Sequence, residues 1–305
     1  MSIKANQASE ITLPPKDLGW GTVLNFLIEK FNRIEADVWR QRVTDGKVHW
    51  FGGEVISAST AFLPSRRLCY YREVAVEPVI PFAHQIVYQD DHIVVACKPH
   101  FLPVTPGGEF VNECLLERLK RQTGLNDLVA VHRLDKETAG LVLFSADSQS
   151  RPLYYQLFAQ GMISKSYQAA ALLPEPMQKL QLPAQWQIKN RLEKSTPAFL
   201  MQQVPGEVNA HSSLTLVDKK AELGLFELSP HTGKTHQLRL HMMALGCPIL
   251  FDSYYPELLP KKTGEPDYSQ PLQLLAKGLS FVDPVSGVRH QFESNRQLQS
   301  WSIGE

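Results

Sequence analysis

The sequence has no apolar run approaching the ~18–20 residues that a membrane-spanning helix needs. Its N-terminus, MSIKANQASEITLPP, has no basic segment followed by an apolar one, so no signal peptide is expected. Cysteine is scarce. Cys69, Cys97, Cys114 and Cys247 form no CxxC pair, and no Cys/His spacing matches a zinc site. Reduced thiols in a cytoplasmic protein are the expectation. An excess of either charge is missing too: 31 Lys and Arg balance 31 Asp and Glu. That balance excludes a protein that coats nucleic acid through a general basic surplus. A phosphate-cradling glycine loop is also absent. Gly233-Lys234-Thr235 reads like the end of one, but the glycine required five residues before Gly233 is replaced by Leu228.

What is present is ordinary globular material. The 305 residues are 43% hydrophobic and 20% charged, enough for one large domain or two smaller ones. Charge is patterned although its total is zero. Ser229 to Phe251 contains no Asp or Glu, yet it holds Lys234, Arg239, His231, His236 and His241.

Residues 1–19 read as a tail. Segment 20–33 has helical spacing, with Val23, Leu24, Leu27, Ile28 and Phe31 on one face. A second helix is expected over 35–43 and a strand over 68–76. The Pro-bearing stretch 77–81 reads as a linker, which separates a module at 20–77 from a larger domain at 82–305. Within the latter, strands are expected at 86–88, 93–97, 141–145, 165–173 and 223–228. Helices are expected at 111–122, stopped by Gly124, and at 148–160, stopped by Gly161. Segment 178–212, rich in Gln and Pro, reads as irregular, an insertion with strands of its own. Thr235 is placed to cap a helix over 236–245, which Gly246 and Pro248 end. Strands outnumber helices without alternating with them. This predicts an α+β fold with a mixed, mostly antiparallel sheet.

The stretch His132-Arg133-Leu134-Asp135-Lys136-Glu137-Thr138-Ala139-Gly140 is a polar turn between two apolar runs. Cations around Asp135 favour its ionised form, which can serve as nucleophile or base. A loop ion pair explains a single carboxylate as well. The second stretch, SPHTGKTHQLRLHMMAL, places His236 and Arg239 on one helical face. Its histidines are five apart, a poor helical match for a metal, and none is expected. Tyr167, in Lys165-Ser166-Tyr167 at a strand start, acquires meaning beyond the sheet only if it faces Asp135.

Together these segments resemble the RluA family of pseudouridine synthases. HRLDKETAG is similar to that family's HRLDxxTSG. TGKTHQLRLHMMALGCPILFDSYY is similar to its TGRTHQxRVHMxxxGxPIxGDxxY. CKPHFLPV, KSYQAA and LQLLAKGLSFVDPVSG follow three further motifs, and the five occur in family order over residues 86–287. Residues 20–76 look like a degenerate form of the S-four-like RNA-binding module that many members carry. There are departures: Lys234 for Arg, Ala139 for Ser, Leu275 for His, Phe251 for Gly, and His100 and Phe101 for small residues.

The resemblance implies a catalytic domain of pseudouridine-synthase type. Its reaction would turn a uridine of structured RNA, ribosomal or transfer, into pseudouridine, without a cofactor, in a cytoplasmic monomer. It implies that Asp135 is the catalytic carboxylate, that Arg239 pairs with it, and that Tyr167 lies against the flipped base. It further implies that His132 and Arg133 contact RNA beside that base. Lys98, Lys234, Thr235, His236 and Gln237 would bind substrate, with phosphates falling to Lys234, His236 and Lys98. Two other readings stay open: a non-catalytic RNA-binding or ribosome-assembly protein on this scaffold, and a different glycosidic enzyme. The latter usually needs a second carboxylate, and Glu137 is the one acid near Asp135 in the sequence.

Overall fold

The computed structural model describes residues 2–260, 264 and 266–302. Residues 303–305, the end of the expected catalytic domain, lie outside them. The chain divides into two compact units. One is Met1–Val79 with Gly107–Asn112; the other is Ile80–Pro106 with Glu113–Glu305. Among the described residues, no helix is long and apolar enough to cross a membrane.

The first unit contains β1 (Ile3–Lys4), β2 (Ser9–Thr12), α1 (Val23–Lys30), α2 (Ala36–Thr44), β3 (Val48–Trp50), β4 (Arg67–Tyr70) and β5 (Glu73–Val74). Thr22 starts α1: its backbone is extended and its hydroxyl accepts the Asn25 N–H at 3.2 Å. Val23, Leu24 and Leu27 of α1 pack with Trp39 and Val43 of α2 against Val48, Trp50 and Leu68 of the sheet. Residues 1–19 are not the tail expected of them. β2 pairs antiparallel with β4, from Ser9 opposite Tyr70 to Thr12 opposite Arg67, and Leu13 enters the core. The strand is four residues long and half-exposed, so its periodicity is too short to stand out.

The second unit contains β6 (Gln85–Gln89), β7 (Ile93–Lys98), α3 (Leu115–Thr123), β8 (Val129–Ala130), β9 (Ala139–Ser145), α4 (Arg151–Ala159), β10 (Ser164–Leu172) and α5 (Glu175–Gln178). It continues through β11 (Ala184–Lys194), β12 (Met201–Val204), β13 (Ala210–Lys220), β14 (Leu223–Pro230), α6 (Gln237–Ala244), β15 (Leu274–Val282), β16 (Arg289–Glu293) and α7 (Gln299–Ser302). Eleven strands form one sheet in the order β12-β11-β13-β14-β10-β15-β9-β7-β6, with β16 added to β15 and β8 to β9. Its described pairings are antiparallel except β15 with β9. The fold is α+β with a mixed, mostly antiparallel sheet.

Two expectations are corrected here. Segment 178–212 carries strands of its own, as expected, but is not irregular: it holds all of β11 and β12 and the start of β13. Ala184, Trp186, Ile188 and Leu192 alternate with exposed polar residues along β11, a period-two signal that the Gln-rich composition obscures. Thr235 does not cap α6. His236 occupies the N-cap in left-handed conformation, φ 54°, and makes no side-chain cap bond.

Two helices cover different parts of the sheet. Leu238 and Met242 of α6 pack with Leu214, Phe226, Leu228 and Leu274. Tyr154 and Leu157 of α4 pack with Ile93, Val95, Leu141 and Leu143. The Asp135 turn leads into β9 at its parallel pairing with β15, Ala139 beside Leu275 and Gly140 beside Ala276. That approach requires glycine: Gly140 has φ +116°, and a Cβ there would overlap the Ala276 backbone. Gly140→Ala is therefore expected to cost ~3 kcal/mol or more in urea unfolding. Gly124→Ala, at φ +74° with open space around it, should cost only about 1 kcal/mol. Equal costs would show that the close strand approach is not what selects glycine.

Candidate active site

The 132–138 turn is held by its backbone rather than by its charges. His132 Nε2 accepts the Leu143 N–H at 3.1 Å, which fixes its proton on Nδ1, and the ring stacks on Phe158 with centroids 4.7 Å apart. Burial pulls the His132 pKa down to about 3, so the ring is neutral. Lys98, at the end of β7, is 0% exposed, and its ammonium donates to the carbonyls of Pro99 at 3.1 Å, Leu102 at 2.7 Å and Lys136 at 2.9 Å. Burial lowers its pKa to about 7, against the attraction of Asp135 and Glu137. The His100 ring donates through Nδ1 to the Glu137 carbonyl at 2.6 Å, and burial lowers its pKa to about 4.

Asp135 faces α6. Arg239 is 1% exposed, and its Nε and Nη2 grip Asp252 at 2.8 and 2.5 Å. Nη2 also donates to Glu137 at 3.1 Å, and Ser253 donates to the same carboxylate at 2.6 Å. Nη1 stands 3.5 Å from an Asp135 carboxylate oxygen without completing a hydrogen bond, and it has no other partner among the described residues. The guanidinium lies over the Tyr254 ring, 4.6 Å from its centroid. On the other side, His236 Nε2 is 3.9 Å from Asp135, while its Nδ1 meets the Tyr255 hydroxyl at 2.8 Å. Burial lowers the His236 pKa, which leaves the ring neutral near pH 7.

These groups open into a cavity of about 500 Å³. It is lined by the 132–138 turn, Phe158, Lys165, Tyr167, the 230–239 segment and Leu274. That is room for a nucleoside. Tyr167, on β10, faces it. Its hydroxyl has no partner among the described residues, and burial together with the Asp135 charge pushes its pKa up, keeping the phenol neutral. Arg133, Lys234 and Thr235 are exposed at the rim, open to a ligand. Among the described residues, no group of three or more His, Cys, Asp or Glu is placed to hold a metal ion.

Three expected contacts are not free to be made. Lys98 cannot reach a phosphate, because it is fully buried with all three donors committed to carbonyls. Gln237 is turned inward: its oxygen accepts from the Thr232 hydroxyl and the Lys234 N–H, and its amide donates to the His211 carbonyl and the Ser212 hydroxyl. His236 is a buried neutral neighbour of Asp135 rather than an exposed cation. Conversely, the bracing by Asp252 and Glu137 and the pin made by His100 were not picked out from the sequence. A buried arginine always needs carboxylates, but the sequence does not say which ones fold onto it.

Residues 92–244 match the RNA pseudouridylate synthase family model. The chain is 31% identical over 218 residues to the dual-specificity RNA pseudouridine synthase RluA of Pasteurella multocida, covering 68% of this chain and 91% of that protein. This chain belongs to the RluA-type RNA pseudouridine synthases. The synthase is also 33% identical over 216 residues to the ribosomal large subunit pseudouridine synthase C of Rickettsia bellii, covering 68% and 67% of the two chains. An uncharacterised RNA pseudouridine synthase of Synechocystis is 28% identical over 242 residues, 76% of this chain and 79% of its own. Among solved structures, human RNA pseudouridylate synthase domain containing 4 aligns with TM-score 0.52 at 26% identity, over 70% of this synthase and 88% of its own chain. Human domain containing 1 shares the fold, with TM-score 0.56 at 20% identity, over 72% and 86% of the two chains.

Lys98→Met should orphan three carbonyls and cost about 2–4 kcal/mol in urea unfolding; an unchanged midpoint would mean that the turn does not depend on this clamp. A second expectation concerns acid. Burial holds His132, His100 and His241 neutral, with pKa values of about 3, 4 and 4 against an ordinary 6.5. Below pH 6.5 the unfolded chain takes up protons that the folded chain refuses. Stability is therefore full above pH 6.5 and falls toward pH 4, by up to ~1.4 kcal/mol per pH unit for each group. Urea unfolding at pH 7, 6 and 5 measures this slope. His241→Gln, which keeps a donor for Asn190, should flatten it; an unchanged slope would remove His241 from the account.

Proposed function

We propose that this RNA pseudouridine synthase acts on one uridine of a folded ribosomal or transfer RNA, with Asp135 as the catalytic carboxylate. The reading rests chiefly on one observation. Asp135 is 28% exposed and opens into a nucleoside-sized cavity, while a guanidinium fixed by two other carboxylates stands 3.5 Å behind it. An aspartate set this way is oriented by the neighbouring guanidinium, yet among the described residues its oxygens are not consumed by hydrogen bonds. It can attack the nucleotide or remove a sugar proton, and either route needs the ionised form.

The isomerisation breaks the N1–C1′ bond, turns the uracil and rejoins it through C5. C5 gives up a proton and N1 gains one, so atoms balance without a redox partner. The base must first leave its stack, which costs a few kcal/mol and least in a loop. Tyr167 faces the cavity as a neutral phenol, a better platform for the flipped base than an acceptor for the C5 proton. Arg133 stands ready beside it, and Lys234 and Thr235 are free for phosphates.

The first unit packs two helices on a small antiparallel sheet, and we assign it the RNA-docking role of an S-four-like module. The four cysteines are buried and form no disulfide, as suits a reducing cytoplasm. We take the acting form to be a monomer.

Mapping pseudouridine in total RNA by carbodiimide labelling and reverse-transcription stops tests this. It compares the parent, a deletion strain, and the deletion carrying wild type or Asp135→Asn. A stop lost on deletion should return with wild type and not with Asp135→Asn. Its return with Asp135→Asn would remove Asp135 from the chemistry. An unchanged map would favour the non-catalytic RNA-binding reading.

A further inference from the structure

A second cavity, of about 720 Å³, adjoins the first. It shares His132, Phe158, Lys165, Pro230, Thr232 and Gly233 with it and contains no carboxylate in its lining. Its floor comes from the way α4 ends. Gly161 is left-handed at φ +68°, its N–H donates to the Phe158 carbonyl, and the Met162 N–H reaches back to the Leu157 carbonyl at 2.9 Å. In such a helix stop the residue after the glycine usually packs back onto the last turn. Met162 does not: it is 58% exposed and lines the cavity. An unbranched thioether left open beside a phenylalanine is an adaptable surface for a flat ring.

Lys165 and His231 fit the same occupant. Lys165 lies at the junction of the two cavities. Its ammonium has no partner among the described residues, and burial lowers its pKa. His231, on the far wall, is exposed, with Nε2 bonded to the Ser213 hydroxyl at 2.7 Å.

We propose that the second cavity receives the nucleotide adjacent to the target uridine, its base against Phe158 and Met162 and the linking phosphate at Lys165. This rests on reading the first cavity as the uridine site. A flipped nucleotide stays covalently tied to its neighbours. One neighbour must lie next to the first cavity, and its stacking has been broken by the flip. Single-stranded RNA is held by stacking platforms with cations along its backbone. The shared ammonium stands where the phosphate between two such nucleotides would pass.

The test uses a transcript spanning the uridine mapped above and compares wild type, Met162→Glu, Met162→Leu, Gln156→Glu and Asp135→Asn. Gln156 is exposed on α4 and lines neither cavity. Met162→Glu removes the platform and sets a carboxylate near the phosphate. It should raise KM about tenfold with kcat unchanged, while Met162→Leu and Gln156→Glu match wild type. Wild-type kinetics for Met162→Glu, a fall in kcat at constant KM, or an equal rise in KM for Gln156→Glu would each overturn the subsite. Turnover by Asp135→Asn would instead overturn the reading of the first cavity, an outcome the KM comparison does not share.

Discussion

The site depends on how one buried guanidinium is divided among three carboxylates. Taking Arg239 out of water costs several kcal/mol unless its charge is matched and its N–H groups are used. Asp252 meets it with a two-point grip and Glu137 adds a third contact. Asp252 is itself braced by the N–H groups of Tyr254 and Tyr255, at 2.8 and 3.1 Å. Those contacts immobilise the plane of the guanidinium and leave Nη1 for Asp135. Three carboxylates against one guanidinium leave a negative excess, and His236, held neutral by burial, does not cancel it. Asp252 is 1% exposed and tightly paired, and Glu137 is engaged by both Arg239 and Ser253. Asp135 has no complete hydrogen bond from Arg239 and the greatest exposure of the three. The excess is therefore most available at the carboxylate that faces the cavity.

Fixing Arg239 is of no use unless Asp135 is fixed as well, and a polar turn is an unpromising place to fix anything. The solution works through the backbone. Lys98 and His100 take the carbonyls of Lys136 and Glu137, while His132 takes a strand N–H. Lys136 and Glu137, the two residues that follow Asp135, are thus tied to β7 and the chain that follows it. Gly140 then lets β9 run against β15 immediately after the turn. Lys98 is the unusual element, a cation spent on carbonyls. Its full burial would be costly with one acceptor; three acceptors and two nearby carboxylates make it tenable.

Much of this was legible in the sequence, and what was not has physical reasons. Asp135, Arg239 and Tyr167 lie far apart in the chain but inside distinctive strings, and all three line one cavity. The roles of Lys98, Gln237 and His236 were misread for a common reason. A polar residue near a functional string can face the ligand or the scaffold, and residue type alone does not choose. Burial chooses, and burial belongs to the folded chain. Thr235 has the chemistry of a helix cap, but the turn puts His236 there in left-handed conformation. The strands β11 and β13, eleven residues each, were hidden by the many polar residues on their outward faces although their inward residues alternate. His100 looked like a simple departure from a small residue. Its neutral ring bonds a carbonyl of the 132–138 turn, so the change supplies a contact rather than merely filling space.

The zero net charge of the chain is consistent with RNA as its substrate once charge is viewed locally. The carboxylates of the site are gathered around Arg239, while Arg133, Lys165 and Lys234 line the first cavity as cations. An approaching backbone therefore meets positive charge at the rim and negative charge at the carboxylates around Arg239. Phosphate contacts of this kind position a strand but do not unstack it. On the proposed reading, the work of holding the unstacked bases falls to surfaces that replace their lost stacking, Tyr167 in the first cavity and Phe158 between the two. His132 covers one face of Phe158 and holds the ring in place, which leaves the other face open. A neutral histidine is required for that: a protonated His132 would lose its acceptor bond from Leu143 and set a buried positive charge near Lys165. The burial that empties His132 of charge thus keeps the turn attached to its strand and leaves Lys165 as the cation at the junction.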